Sequence, residues 1–237
     1  LQNVTLEGLT FRAASITDNV AGLYLVGAKN CRLSSLRFEN LWYGMKLGSG
    51  NIGSGWVVTD IVARNCTIPA YISHIDDSAF ARLDLQGTGS AGNPGHCIYM
   101  AESCHRLIFT DVTLTAPSRY GLHLYSGAGS TTSDITFNNL TVDCTSGRQP
   151  MCISDGFSSI RINNLVSRMS AQEVHLRLGG CTGVAIDGID ASGGYAFIGT
   201  WSGGRAGTVS LRNGTYTGQA VLSPVSDERG ISNLIVD

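Results

Sequence analysis

The chain has 237 residues, a formal net charge of −2, and only 14% charged residues against the usual level of about 25%. No basic stripe is available to displace counterions from phosphates, which excludes a nucleic-acid partner, and no apolar run approaches the ~18 residues of a membrane span. No charged segment followed by an apolar one opens the chain, so no signal peptide is read in it.

From Val4 onward one pattern recurs: apolar–x–apolar–x–(Asn/Asp/Gly)–apolar–x–apolar. Starting at its first apolar residue it fits at Val4, Cys31, Trp56, Leu83, Leu107, Ile135, Ile160, Val184, Val209 and Leu234, a period of about 25 residues. The third column reads Leu6, Leu33, Val58, Leu85, Phe109, Phe137, Ile162, Ile186, Leu211 and Val236. The fifth reads Gly8, Ser35, Asp60, Gly87, Asp111, Asn139, Asn164, Gly188 and Asn213. Alternating apolar residues turn one face of a short strand inward. Gly, Asn or Asp then suits a left-handed corner, and the next strand leaves the corner with its apolar face turned back inside.

A third strand per repeat is expected at 22–25, 44–47, 71–75, 97–100, 121–124, 151–153, 174–178, 196–198 and 220–222. Three strands around a repeat define an all-β solenoid, a right-handed parallel β-helix of about nine coils and roughly 43 Å in length at about 4.8 Å per coil. An unbroken repeat leaves no room for a boundary, so residues 1–237 read as one domain. The two ends share one phase of the repeat and neither shows a capping helix, so the chain reads as a segment of a longer protein.

The seven cysteines show neither Cys-x-x-Cys nor a Cys/His ligand spacing, which argues against zinc. They read as small apolar filler, with Cys144 and Cys152 the candidate disulfide across a Gly/Pro loop. In chain order, Trp42 and Tyr43 precede the second of the third strands and Lys46 points out of it. Asp76 and Asp77 end the third coil, the fourth carries His96, Tyr99 and Glu102, and the fifth His123 and Tyr125. Asp155 follows on the sixth and Arg177 on the seventh.

The coil pattern, with Gly95-His-Cys-Ile-Tyr-Met100 followed by Cys104-His-Arg-Leu-Ile-Phe-Thr-Asp-Val-Thr-Leu114, resembles the pectate-lyase-like superfamily of parallel β-helices. That group includes pectate lyases, polygalacturonase-type hydrolases and phage tailspike depolymerases. The resemblance implies a polysaccharide substrate, an extracellular or virion-associated location and, for a tailspike, a homotrimer. It is carried by the repeat. Gly95-His96 and Asp76-Asp77 are similar to polygalacturonase elements, but the Asp pair falls after its strand, and the Asn-Thr-Asp, Arg-Ile-Lys and Trp-Ile-Asp-His elements of the group are missing.

Stacking converts repeat phase into adjacency. The outward column of the third strands is expected to run Tyr24, Lys46, Ser73, Tyr99, His123, Ile153 or Ser154, and Arg177 or His175, with Asp77, Glu102 and Asp155 in equivalent turns just beyond. Glycoside hydrolysis needs two carboxyl groups about 5–5.5 Å apart for retention or about 6.5–9.5 Å for inversion. Asp77 with Glu102 suits the first. Glu102 with Asp155, and His123 between them, suits the second. The catalytic candidates are therefore Asp77, Glu102, Asp155, His123 and His96, with Tyr99, Arg177, Asp76, Tyr125, Trp42 and Lys46 as substrate-binding candidates. No metal or cofactor is needed for hydrolysis. A calcium-assisted lyase through Asp76, Asp77 and Glu102, and a non-catalytic glycan-binding stalk, are the alternatives. Lys46 and Arg177 lie five coils apart, about 24 Å, which disfavours a lyase that relies on both cations at one centre.

Overall fold

In the computed structural model, residues 1–89, 95–115, 118–126, 130–145, 149–170, 173–200, 204–222 and 230–237 are described. They form strands and no helix, so no helix among them is long and apolar enough to cross a membrane. Two parallel sheets run the length of the solenoid. The long sheet stacks Thr5–Glu7, Arg32–Ser34, Val57–Cys66, Ile75–Gly87, His105–Thr115, Thr132–Cys144, Phe157–Met169, Thr182–Ser192, Ala206–Thr217 and Ile231–Val236, with Thr10–Arg12 and Arg37–Glu39 extending its first coils. The short sheet stacks nine strands: Ala21–Leu25, Tyr43–Leu47, Ile68–Ile72, His96–Met100, Tyr120–Leu124, Gln149–Ile153, Val174–Leu178, Ala196–Thr200 and Ala220–Leu222. This is the expected parallel β-helix, with a number of coils close to that read from the repeat.

Each long strand is two arms meeting at a left-handed residue. That corner column is Gly8, Ser35, Asp60, Arg82, Asp111, Asn139, Asn164, Gly188 and Asn213, all with positive φ. Asn139 donates to Asp111 Oδ1 at 2.8 Å and Asn164 donates to Asn139 Oδ1 at 3.0 Å, so the corner side chains are tied coil to coil. Gly188 faces Asn164 Oδ1 at the same corner, where a Cβ would sit 2.7 Å from that oxygen.

The fourth coil departs from the sequence frame. Ser78, Phe80 and Arg82 pair with Leu107, Phe109 and the following corner, so the repeat begins at Ser78 rather than Leu83 and the corner is Arg82 rather than Gly87. Ser78 fits the apolar column because its hydroxyl accepts from Trp56 N–H at 3.0 Å and donates to Asp76 O at 2.7 Å, leaving nothing unpaired. Arg82 accepts the left-handed backbone while its guanidinium grips Asp60 at 2.6 and 2.8 Å.

The interior is apolar and layered. Phe80, Phe109 and Phe137 stack at 4.6 Å intervals with interplanar angles of 10° and 15°. The contact between Phe109 and Phe137 follows from the repeat; Phe80 joins it only in the corrected frame. All seven cysteines are buried and free, so Cys144 and Cys152 are not bridged. They lie in different sheets with inward and outward settings: Cys144 packs in the core, whereas Cys152 sits between His123 and Arg177 on the outer face of the short sheet. His175, offered as an outward alternative to Arg177, points inside. Its Nδ1 pairs with Ser167 Oγ at 2.7 Å and its Nε2 with Gly193 O at 2.9 Å, so a buried imidazole is satisfied at both nitrogens.

Candidate functional site on the outer face of the short sheet

The short strands turn their first and fourth residues outward, and their register settles which residues line up. The central outward column is Tyr24, Lys46, Tyr71, Tyr99, His123, Cys152 and Arg177. Tyr71 therefore takes the place expected for Ser73, and Cys152 the place expected for Ile153 or Ser154. The strand of that third coil is Ile68–Ile72, and Ser73 and His74 lie just past its end. A second column beside it carries Tyr43, Ile68, His96, Tyr120, Gln149 and Val174.

The two columns form a continuous aromatic surface. Ring centroids are 5.8 Å apart for Tyr43–Tyr71, 5.4 Å for Tyr71–Tyr99, 4.9 Å for Tyr99–His123 and 5.8 Å for His123–Tyr125. Lys46 Nζ lies over Tyr24, Tyr43 and Tyr71 at 5.0, 5.1 and 5.6 Å. The surface changes character along the helix axis. On the early coils Tyr24 is exposed and Tyr43, Lys46, Tyr71 and Tyr99 are half-buried, whereas His96, Tyr120, His123 and Cys152 are covered. Beyond them Arg177 is half-buried and reaches Glu173 at 3.4 Å, which also accepts from Gln149 Nε2 at 2.7 Å.

Burial sets the protonation of this surface. His96 and His123, 4.5 Å apart, are held neutral: burial drives the first down to about 3, helped by the charge of Arg119, and the second down to about 2, helped by His96 and Arg119. Among the described residues, His96 Nδ1, both ring nitrogens of His123 and Ser126 Oγ have no hydrogen-bond partner. Burial also lifts the Tyr99 phenol to about 12, reinforced by neighbouring phenols and by the charge of Glu102. Tyr71 is raised for the same first reason, with Glu102 again contributing. Glu102 thus lies within electrostatic reach of the Tyr71–Tyr99 pair, on the same coil as Tyr99.

The carboxylates are distributed differently from the sequence expectation. At the end of the short strands the turn column is His74, Glu102, Ser126, Asp155 and Gly180, linked by His74 N–H to Glu102 O at 2.8 Å and Ser126 N–H to Asp155 O at 3.2 Å. His74, not Asp77, is the coil-three neighbour of Glu102. Ser126, not His123, lies between Glu102 and Asp155. Asp77 sits three residues further, at the left-handed start of the long sheet with φ 48°, where Arg106 grips it at 2.6 and 2.9 Å and holds its carboxyl below the usual range. Asp76 accepts from His105 N–H at 3.1 Å and lies 3.4 Å from the same guanidinium. Among the described residues no three His, Cys, Asp or Glu side chains converge, so Asp76, Asp77 and Glu102 do not fit a shared calcium ion. The Asp155 carboxyl packs against Gly180, on the coil beyond, rather than toward Glu102.

Trp42 lies at the opposite edge of the short sheet, in an open cavity of about 380 Å³ lined by Ile16, Asp18, Asn65, Thr67 and Thr88 as well. Of the residues expected on one face, the structure brings together Lys46, Tyr99, His96, His123, Tyr125 and Arg177, with Glu102 at their edge. It separates Trp42, Asp76 and Asp77 from them. Tyr71, His74 and Glu173 belong to the face and escaped the sequence reading. Aligning Tyr71 with Tyr99 would have found the first of these.

No family model matches the chain, and no curated protein matches it. Among solved structures it resembles a mutant tailspike protein of E. coli bacteriophage HK620 in complex with pentasaccharide, at a TM-score of 0.68 and 14% identity, over 99% of this chain and 47% of that one. A double mutant of the same tailspike matches at a TM-score of 0.67 and 14% identity, with the same coverage. ORF18 of Geobacillus virus E2 matches at a TM-score of 0.50 and 13% identity, over 100% of this chain and 53% of that one. The chain thus spans about half the length of the structures it resembles, and shares with them the parallel β-helix fold.

Proposed function

We propose that the outer face of the short sheet binds polysaccharide and that Glu102, at its edge, takes part in hydrolysing it, in an extracellular or virion-associated protein. One observation carries this reading: a run of part-exposed aromatic rings, Tyr43, Tyr71 and Tyr99, crosses consecutive coils and ends on the coil that carries Glu102. Tyrosine rings at intervals of 5.4 and 5.8 Å, set edge to face, offer apolar faces and edges to successive sugar rings, and a carboxyl group within electrostatic reach of raised phenols suits proton transfer. The tailspike likeness supports the reading at the level of the fold, and a sugar is bound in that tailspike structure.

Asp155 is the second carboxyl of this reading. Two coils put the Glu102 and Asp155 backbones about 10 Å apart, near the window of about 6.5–9.5 Å for inversion. With the Asp155 side chain against Gly180 the gap is wider, and inversion requires that side chain to turn back over Ser126. Asp77 is committed to Arg106, which removes the short spacing that retention needs. The orientation of Asp155 favours a second reading, in which the same face binds glycan without turnover.

The test is a panel of bacterial and plant polysaccharides followed by two readouts, new reducing ends and absorbance at roughly 235 nm for an unsaturated product. Reducing ends without unsaturation are expected, and Glu102→Gln should lower their rate by about 10²–10⁴-fold with binding kept. An unsaturated product, or a Glu102→Gln variant that turns over at the parent rate, overturns the hydrolytic role. Binding with no product of either kind selects the non-catalytic reading.

A further inference from the structure

The chain has two lysines, Lys29 and Lys46, and they stand in different surroundings. Lys29 is exposed at the edge of the long sheet. Lys46 is half-buried in the middle of the short sheet's outer face, with its ammonium 5.0–5.6 Å from three tyrosine rings. The rings attract the cation through their quadrupoles and replace part of its water, but they neutralise no charge. Every ion pair among the described residues uses an arginine, so no described carboxylate stands against Lys46. The result is a compact, partly dehydrated point charge set into a wall of rings. That combination recognises two things at once, the face of a sugar ring and an anionic group on it.

We propose that Lys46 with Tyr24, Tyr43 and Tyr71 forms a subsite for an anionic sugar, a pyranose bearing a carboxylate or a phosphate ester. It rests on the reading of this face as a polysaccharide site and adds the substrate's charge to it. Lys46 lies two coils from Tyr99 in the same column, and Glu102 follows Tyr99 on that coil, so the anionic sugar is placed about 10 Å along the helix axis from the coil that carries the carboxylate. A lysine held there for packing alone would need no oxyanion and would show no preference among sugars.

Carbon-13 reductive dimethylation of the whole chain keeps both lysine charges and gives one signal for each lysine. The Lys46 signal is expected to be displaced upfield by the surrounding rings, and Lys29 serves as an internal control. Sodium glucuronate, glucose 6-phosphate and methyl glucoside are titrated at equal ionic strength. Movement of Lys46 without Lys29 by either anionic sugar, and not by the glucoside, supports the subsite, and the stronger of the two names the anion. Equal movement of both lysines, equal response to the glucoside, or no response to any sugar overturns it. Lys46→Gln, which leaves the rings in place, should weaken binding of an anionic polysaccharide by about tenfold or more and leave a neutral one unchanged. If the polysaccharide panel is bound while Lys46 ignores both anions, this inference fails and the binding reading stands. If no polysaccharide is bound, both fail.

Discussion

The neutral histidines at the centre of the candidate face make stability depend on pH in a way that can be worked out. His96 and His123 are each 6% exposed, and their folded-state values lie at about 3 and about 2. An unfolded histidine titrates near 6.5. Between those limits the unfolded chain binds protons that the folded chain refuses, so stability is complete above about pH 6.5 and is lost as pH falls toward the folded values. From pH 7 to pH 5 each group gives up about 2 kcal/mol. His175, lowered first by burial, acts in the same direction, so the informative quantity is a difference between variants. His123→Phe keeps a ring against Tyr99 and Tyr120 and removes one titrating group. Urea unfolding at pH 7 and pH 5 should show the parent losing about 2 kcal/mol more than the variant over that interval, with unchanged m-values. A difference below about 0.5 kcal/mol would show that His123 finds a proton partner in the folded state, and would refute the account of a neutral aromatic surface.

Three further outcomes are expected. Phe109→Ala should cost about 3–5 kcal/mol in the same unfolding assay, and more than Phe137→Ala, because Phe109 alone lies between two stacked rings. Native protein should resist an aromatic disulfide reagent and release seven thiols once denatured, since all seven cysteines are buried and unpaired. Arg106→Ala should leave glycan turnover near the parent level, because Asp76 and Asp77, its partners, lie off the candidate face; a large loss of turnover would return Asp77 to the site.

The period, the inward columns and the left-handed corner were legible because they are steric demands that few residues satisfy. Asn139 and Asn164 fell on one corner, and Phe109 and Phe137 in one column, for that reason. The fourth coil was misread where two residues broke the type rule at once. Ser78 stands in an apolar column because its hydroxyl is fully bonded, and Arg82 occupies a corner that Gly, Asn or Asp would fill more easily. The strand Ile68–Ile72 lies three residues ahead of the expected 71–75 and holds Pro69 in its interior, a residue type that argues against a strand. That shift cost the site Tyr71 and His74 and put Asp77 level with Glu102. Side-chain direction is not written in the repeat at all. The grip of Arg106 on Asp77 and the turn of Asp155 toward Gly180 depend on neighbours about 25 residues away or more.

The central claim is that the short sheet, and not the long one, meets the glycan. Affinity electrophoresis of the parent, a Tyr71→Ala/Tyr99→Ala variant and an Ile108→Ser control through gels containing each polysaccharide tests it directly. Ile108 is exposed on the outer face of the long sheet, so its loss leaves the aromatic surface intact. The account predicts retardation of the parent and the control by at least one polysaccharide, and a loss of about tenfold or more in affinity for the double variant. Equal retardation of all three proteins, or retardation by none of the polysaccharides, would contradict it.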